Sequence, residues 1–358
     1  MQSEHSMFDW ARSSTERGRT ASTAMESAID AQDQNKAKQS GDDSDSDDPI
    51  GSLLKSNTAI FCEKQELLQS GTIKNQRLKN ALATSQHQSV VTSMAWHPSE
   101  NLLLTSGLDR KAKLVSVKGH SAATEESSRS QIVQQLFIED LPIYSCDFIR
   151  GGREAIFSGN RRHFYSYDLG ANRLQKQGGI LGHHDESNLS KMVVSPKRNG
   201  KMMAVACAES GYILMLGQDS KKLLFDLKMN GSCTSVAFDP EEKYLYSVGD
   251  EAEIYQWDLN MRKCIGRVSD SGSFSTTKLA VSPNGQLLAT GSKMGTVNIF
   301  HIDQHTSSLE PKPFKTVMNL TTAITDLKFN HSSELLTFCS KWKKNAFKMC
   351  HIPSYTVY

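Results

Sequence analysis

The stretch Thr234-Ser235-Val236-Ala237-Phe238-Asp239-Pro240, then Lys243-Tyr244-Leu245-Tyr246-Ser247-Val248-Gly249-Asp250, then Ile254-Tyr255-Gln256-Trp257-Asp258-Leu259, decides the fold. Three short runs, rich in β-branched and aromatic residues, are separated by turn residues. Working outward, the same order recurs upstream at 90–96, 102–107 and 112–117, at 144–148, 154–159 and 164–169, and at 189–196, 203–208 and 211–216. Downstream it recurs at 278–285, 287–292 and 296–300, and at 324–330, 334–338 and 347–352. Asp-Pro, Ser-Pro and Asn-Gly pairs fall where hairpins need a fixed or positive φ.

The apolar residues that precede the first turn of each copy are Trp96, Phe148, Val194, Phe238, Val281 and Phe329, spaced by 52, 46, 44, 43 and 48 residues. A unit of roughly 40–45 residues with several strands marks a WD-repeat β-propeller. One four-stranded blade cannot bury both of its faces alone, so blades stack about an axis. The fold class is therefore all-β, with six recognisable repeats. The repeats are degenerate. Only Tyr255-Gln256-Trp257-Asp258 ends in Trp-Asp, Tyr167-Asp168 is its echo, and Gly119-His120 and Gly182-His183 are the only Gly-His pairs. Outer strands are expected at 131–136 and 223–228. Either the ring closes with six blades, using Gly71-Thr72-Ile73-Lys74 or a neighbouring stretch, or a seventh blade is incomplete.

Three regions follow: a Ser-rich acidic tail over 1–60, a linker with a closing strand over 61–87, and the propeller over 88–358. The tail lacks both helical and strand periodicity, so it is expected to be disordered. Residues 1–50 hold 5 Lys or Arg against 11 Asp or Glu, whereas the remainder holds 36 against 28. An acidic tail on a mildly basic body fits work beside nucleic acid, and it equally fits simple solubility. Five carboxylates lie within the seven residues 42–48, which makes this run a solvated linker. Alternatively, Ser44 and Ser46 are phosphorylation sites for a kinase that grips flanking acids. No apolar stretch follows Met1-Gln2-Ser3-Glu4-His5, and no run approaches the roughly 18 apolar residues of a membrane span, so a soluble intracellular protein is expected. Seven cysteines without C-x-x-C spacing suit reduced thiols.

Several strings are more specific than propeller grammar. Leu227-Lys228-Met229-Asn230-Gly231, Glu253-Ile254-Tyr255-Gln256-Trp257-Asp258-Leu259-Asn260-Met261-Arg262-Lys263-Cys264 and Ala289-Thr290-Gly291-Ser292-Lys293-Met294-Gly295-Thr296-Val297-Asn298-Ile299 are three of them. Lys312-Pro313-Phe314-Lys315-Thr316-Val317-Met318-Asn319-Leu320-Thr321-Thr322 and His351-Ile352-Pro353-Ser354-Tyr355-Thr356-Val357 are two more. Together they resemble the Utp-eighteen family across roughly 45–358, most strongly from 220 onward. That family is a WD-repeat subunit of the small-subunit processome, associated with the U-three small nucleolar RNA.

The resemblance implies a non-catalytic scaffold of the Utp-B subcomplex in the nucleus and nucleolus. Its expected partners are other Utp-B subunits, the pre-rRNA and the U-three particle. It also implies a seven-bladed fold. Members carry a further strand set after the segment matching 351–357, so this chain reads as a truncated form with an incomplete last blade. Some members recruit an exosome-associated helicase through a Leu-Phe-x-x-Asp-like motif. Residues 1–60 lack it, and Leu136-Phe137-Ile138-Glu139-Asp140, which fits the letters, falls at an expected outer strand.

No constellation points to catalysis, and no metal, cofactor, small-molecule substrate or membrane partner is implied. His183-His184-Asp185-Glu186 reads as a loop between blades, because adjacent residues on extended chain point apart. Cys207, Cys233, Cys339 and Cys350 fall in or beside strand runs as small hydrophobes. The candidate contacts to RNA or partners are the cationic turns Arg161-Arg162, Lys197-Arg198 with Lys201, and Lys341-Trp342-Lys343-Lys344, where long cations reach phosphates and Trp342 can stack on an unpaired base. Their alternative role is as solvated loop tips or contacts to acidic proteins. A rival function is a substrate receptor for a ubiquitin ligase, or a signalling adaptor.

Overall fold

The computed structural model describes residues 68–69, 71, 73, 80–117, 131–180, 182, 186, 188–302 and 312–358. The expected tail over 1–60 with Ser44 and Ser46, the pair Gly119-His120, and His183, His184 and Asp185 lie outside the described residues.

Blade 1 comprises β1 (Val91–Trp96), β2 (Leu102–Gly107), β3 (Lys111–Ser116) and β4 (Gln131–Phe137). Blade 2 comprises β5 (Ser145–Ile149), β6 (Glu154–Ser158), β7 (Phe164–Asp168) and β8 (Arg173–Gln177). Blade 3 follows with β9 (Met192–Val194), β10 (Met202–Ala206), β11 (Tyr212–Gly217) and β12 (Leu223–Lys228). Blade 4 holds β13 (Ser235–Phe238), β14 (Tyr244–Val248), β15 (Glu253–Asp258) and β16 (Lys263–Ser269). Blade 5 holds β17 (Thr276–Val281), β18 (Leu287–Ser292), β19 (Val297–His301) and β20 (Lys315–Val317). Blade 6 holds β21 (Asp326–Phe329), β22 (Leu335–Cys339), β23 (Phe347–His351) and β24 (Thr356–Val357). Each sheet contains four strands consecutive in the chain, so the expected propeller is present with six blades, and β4 and β12 occupy the expected outer positions.

Local chemistry explains the repeat. The Trp-Asp ending works as two devices: Trp257 donates from Nε1 to Ser247 Oγ at 2.9 Å, and Asp258 Oδ1 accepts the amides of Asn260 at 2.8 Å and Met261 at 3.0 Å. Asp168 shapes the equivalent turn in blade 2 through the amides of Gly170 and Ala171, at 2.9 and 3.0 Å. Only glycine fits after β6 and β14. A Cβ on Gly159 or Gly249 would sit 2.3 Å from the carbonyl oxygen of Pro142 or Ser232, respectively.

Blades pack through alternating apolar residues. Leu104 of blade 1 meets Phe157 of blade 2, Ile156 of blade 2 meets Met203 of blade 3, and Met215 of blade 3 meets Trp257 of blade 4 within continuous clusters. Tyr246 joins Leu288 across blades 4 and 5, and Ala289 joins Phe338 across blades 5 and 6. Each fully buried large side chain contributes about 1.5–3 kcal/mol relative to exposure.

A side-chain staple accompanies every one of these five interfaces. Thr92 Oγ1 donates to Ile143 O at 2.6 Å, Ser145 Oγ to Met192 O at 3.2 Å, and Lys191 Nζ to Cys233 O at 3.4 Å. Thr234 Oγ1 donates to Thr276 O at 2.8 Å, and Thr277 Oγ1 to Ile324 O at 2.7 Å.

The sixth boundary differs. Among the described residues no apolar cluster joins blade 6 to blade 1. The chain itself crosses that boundary between Gly71 and Ser85. On blade 6, Gly71 N donates to Tyr358 Oη at 2.6 Å, and His351 Nε2 donates to Leu68 O at 3.0 Å. On blade 1, the buried Lys113 ammonium donates to Ser85 O, Ser85 Oγ and Gln86 O at 3.2, 3.0 and 2.9 Å. Beside it, His87 Nδ1 lies 2.9 Å from Asp109 Oδ2, and His87 Nε2 lies 3.1 Å from Thr105 Oγ1. Burial pushes the Asp109 carboxyl up, but His87 and the amides of Lys111 and Gln88 outweigh it and hold it below the usual carboxylate range.

Candidate partner and nucleic-acid surfaces

Antiparallel order sorts the turns onto two faces. Turns after the first and third strands of every blade lie on one face, and turns after the second strand lie on the other. Lys197, Arg198 and Lys201, between β9 and β10, therefore stand on the first face. Arg161 and Arg162, between β6 and β7, and Lys341, Trp342, Lys343 and Lys344, between β22 and β23, stand on the opposite face. All nine are exposed. The structure thus brings Arg161 and Arg162 to the face of the Lys341–344 turn but keeps them on different blades, and it holds the Lys197 cluster apart from both.

The first face is partly neutralised. Lys197 Nζ lies 3.8 Å from Glu241 Oε2, and Glu242 Oε1 accepts the amides of Lys201 at 3.0 Å and Met202 at 2.8 Å. Close by, the buried Glu154 takes Arg150 Nη1 at 2.6 Å and Lys221 Nζ at 2.7 Å, which fixes two adjacent turns of this face. Arg198 has no ion-pair partner among the described residues. On the opposite face Trp342 is 69% exposed, and Lys341 Nζ stands 5.1 Å from its ring centroid, so a cation and an aromatic plane are presented together.

A cavity of about 430 Å³ runs along the axis, bounded by inner strands of all six blades and opening among Pro98, Arg150, Pro196 and Pro283 of the first face. Its charged lining comprises Asp147, Lys278, Asp326 and Lys328, with Lys278 Nζ 3.8 Å from Asp326 Oδ1. Burial pushes the Asp147 carboxyl up to about 6, against the Phe148 amide at 2.8 Å and the charge of Lys328. Sequence reasoning missed this lining. The available signal was the polar residue one or three positions before each of Phe148, Val281 and Phe329, on the lumen side of an alternating strand.

Burial raises the Cys146 thiol to about 11 and those of Cys207 and Cys233 to about 12, so at neutral pH they stay protonated and unreactive. Among the described residues no group of three or more His, Cys, Asp or Glu could hold a metal ion, and no helix is long and apolar enough to cross a membrane.

Six antiparallel four-stranded blades with exposed turns on two faces define a WD-repeat β-propeller, and the profile of the WD domain, G-beta repeat, matches residues 79–116, 221–258 and 262–301. The chain is 35% identical over 320 residues to the U3 small nucleolar RNA-associated protein 18 homolog of Arabidopsis thaliana, covering 89% of this chain and 56% of that protein. It is 31% identical to the Homo sapiens homolog, covering 85% of this chain and 53% of that one. Against the U3 small nucleolar RNA-associated protein 18 of Saccharomyces cerevisiae it is 26% identical, covering 79% and 53%. The chain belongs to the U3 small nucleolar RNA-associated protein 18 family. It spans about half the length of the curated relatives it matches.

Proposed function

We propose that the chain is a non-catalytic scaffold subunit of the small-subunit processome, within the Utp-B subcomplex, which supports pre-rRNA processing and small ribosomal subunit biogenesis in the nucleolus. The observation that carries this reading is the similarity, over 79–89% of the chain, to relatives named for association with the U3 small nucleolar RNA. The geometry supports it. A stack of blades holds separate cationic turns on two faces, which suits binding several partners at once by affinity and position. Its partners are other Utp-B subunits, together with the pre-rRNA and U3 RNA particle.

In this reading RNA contacts come from Arg161, Arg162, Lys197, Arg198, Lys201, Lys341, Lys343 and Lys344, with Trp342 stacking on an unpaired base. Residues 1–60 serve as an acidic tail carrying Ser44 and Ser46 as phosphorylation sites, residues 61–87 as linker and closing segment, and residues 88–358 as the propeller. Tagged protein should co-precipitate U3 RNA and sediment with large pre-ribosomal particles. Crosslinks at the cationic turns should fade steeply as salt rises. A diffuse distribution, no U3 RNA and co-purification with a ubiquitin ligase or signalling complex would refute the reading.

A further inference from the structure

The boundary between blades 6 and 1 has the make-up of a blade interface without its second half. On blade 1, Ala95, Leu104 and Ala112 are buried against blade 2, while alternate positions carry Met94 and Trp96, exposed by 59% and 60%. Val133 and Phe137 continue that face on β4, at 59% and 57%. On blade 6, Leu336, Phe338 and Cys350 pack toward blade 5, while Phe347 on the other face is 56% exposed. Two apolar sheet faces flanking one boundary, both left in water, are uncommon on a soluble surface.

A second, independent observation says what fits between them. Thr92, Thr234, Thr277 and Thr325 each stand four residues before the last residue of their inner strand or run, namely Trp96, Phe238, Val281 and Phe329. The first three donate to a backbone carbonyl of the next blade, at 2.6, 2.8 and 2.7 Å. Thr325 accepts the Lys341 amide at 3.0 Å, and among the described residues its hydroxyl donates to no carbonyl of blade 1. The staple is present and its receiver, the entry of a following inner strand, is not.

We propose that this boundary seats a β-blade segment from another polypeptide: antiparallel strands, apolar on both faces, whose inner strand offers a backbone carbonyl to Thr325. The binding mode is sheet stacking on both flanks, with alternate side chains giving specificity. A second copy of this chain does not fit. An inserted blade needs both faces free, and every blade of the propeller has at least one face filled by a neighbour. Residues 1–60 lack the alternating apolar pattern that such strands need. The crossing between Gly71 and Ser85 ties blade 6 to blade 1 but leaves Met94 and Trp96 uncovered. The inference goes beyond the nucleolar reading and holds or fails without it.

The test places a photo-crosslinking residue at Met94 or at Phe347 of tagged 1–358 in cells, with Leu224 on the exposed outer strand of blade 3 as control. Both seam positions should capture the same foreign polypeptide, through one stretch whose apolar residues alternate, and the control should not. In the Met94-labelled protein, Thr325→Val should lower the yield about threefold to tenfold, the loss of one hydrogen bond, without changing the folded chain. Adducts confined to the chain itself, including 1–67 or a second copy, would overturn the proposal. So would capture of a stretch without alternation, indifference to Thr325→Val, or no adduct at either position.

Discussion

The interface between blades 4 and 5 and the boundary between blades 6 and 1 are made from the same repeat and end in opposite states. Between blades 4 and 5, Tyr246, Ile254, Leu288 and Phe300 are almost fully buried and Thr234 staples one inner strand to the next. Between blades 6 and 1, Met94, Trp96 and Phe347 face water and Thr325 finds no carbonyl on the following blade among the described residues. The contrast teaches that each blade carries half of an interface in its own sequence. Burial then depends on which neighbour arrives, so an end blade can have the right pattern and remain half-dressed.

The largest effect should separate the two regions outright. Leu288→Ala should cost about 2–5 kcal/mol by removing a fully buried side chain, whereas Trp96→Ala should change stability by no more than about 0.5 kcal/mol. Equal losses in denaturant unfolding would erase the distinction.

Asp147 sharpens it next, because its lumen-facing carboxyl lies close to Lys328 of blade 6. Its folded pKa of about 6 exceeds the ordinary 3.8, so the folded chain holds that proton more tightly than the unfolded one. The contribution is full below about pH 4 and is lost as pH rises through about 6. Asp147→Asn should therefore gain about 2 kcal/mol over the parent at pH 7.5 and little at pH 4. A gain at acidic pH instead would reverse the assigned sign.

The smallest effect compares the staples. Thr277→Val should cost about 1 kcal/mol, because it leaves the Ile324 carbonyl without its donor. Thr325→Val in the isolated chain should be near neutral. A penalty as large as that of Thr277→Val would show that Thr325 already has its receiver.

Much of this was legible in the sequence, for physical reasons. Phe148, Phe238 and the Asp239-Pro240 turn announce a strand and its reversal locally, and Tyr255 to Leu259 shows alternation that only a sheet buried on both faces requires. The outer strands β4 and β12 could be placed because a blade needs a fourth strand and only one apolar run remained in each. The division of Arg161, Arg162 and the Lys341 turn from Lys197, Arg198 and Lys201 was not drawn, although counting strand reversals would have given it. The staples were hidden because the acceptors at Ile143, Thr276 and Ile324 are backbone carbonyls, which every residue has. Lys113 and Asp109 read as surface charges. Burial against Ser85, Gln86 and His87 depends on a segment more than twenty residues upstream, folding back on β3.

The central structural claim is that five blade interfaces are filled and one is open, and hydrogen–deuterium exchange on 1–358 tests it most directly. The account predicts that amides of β1 and of β21 to β23, each covered on one flank only, exchange at least about tenfold faster than those of β6, β14 and β18, which are covered on both. Uniform protection across all six blades would contradict it.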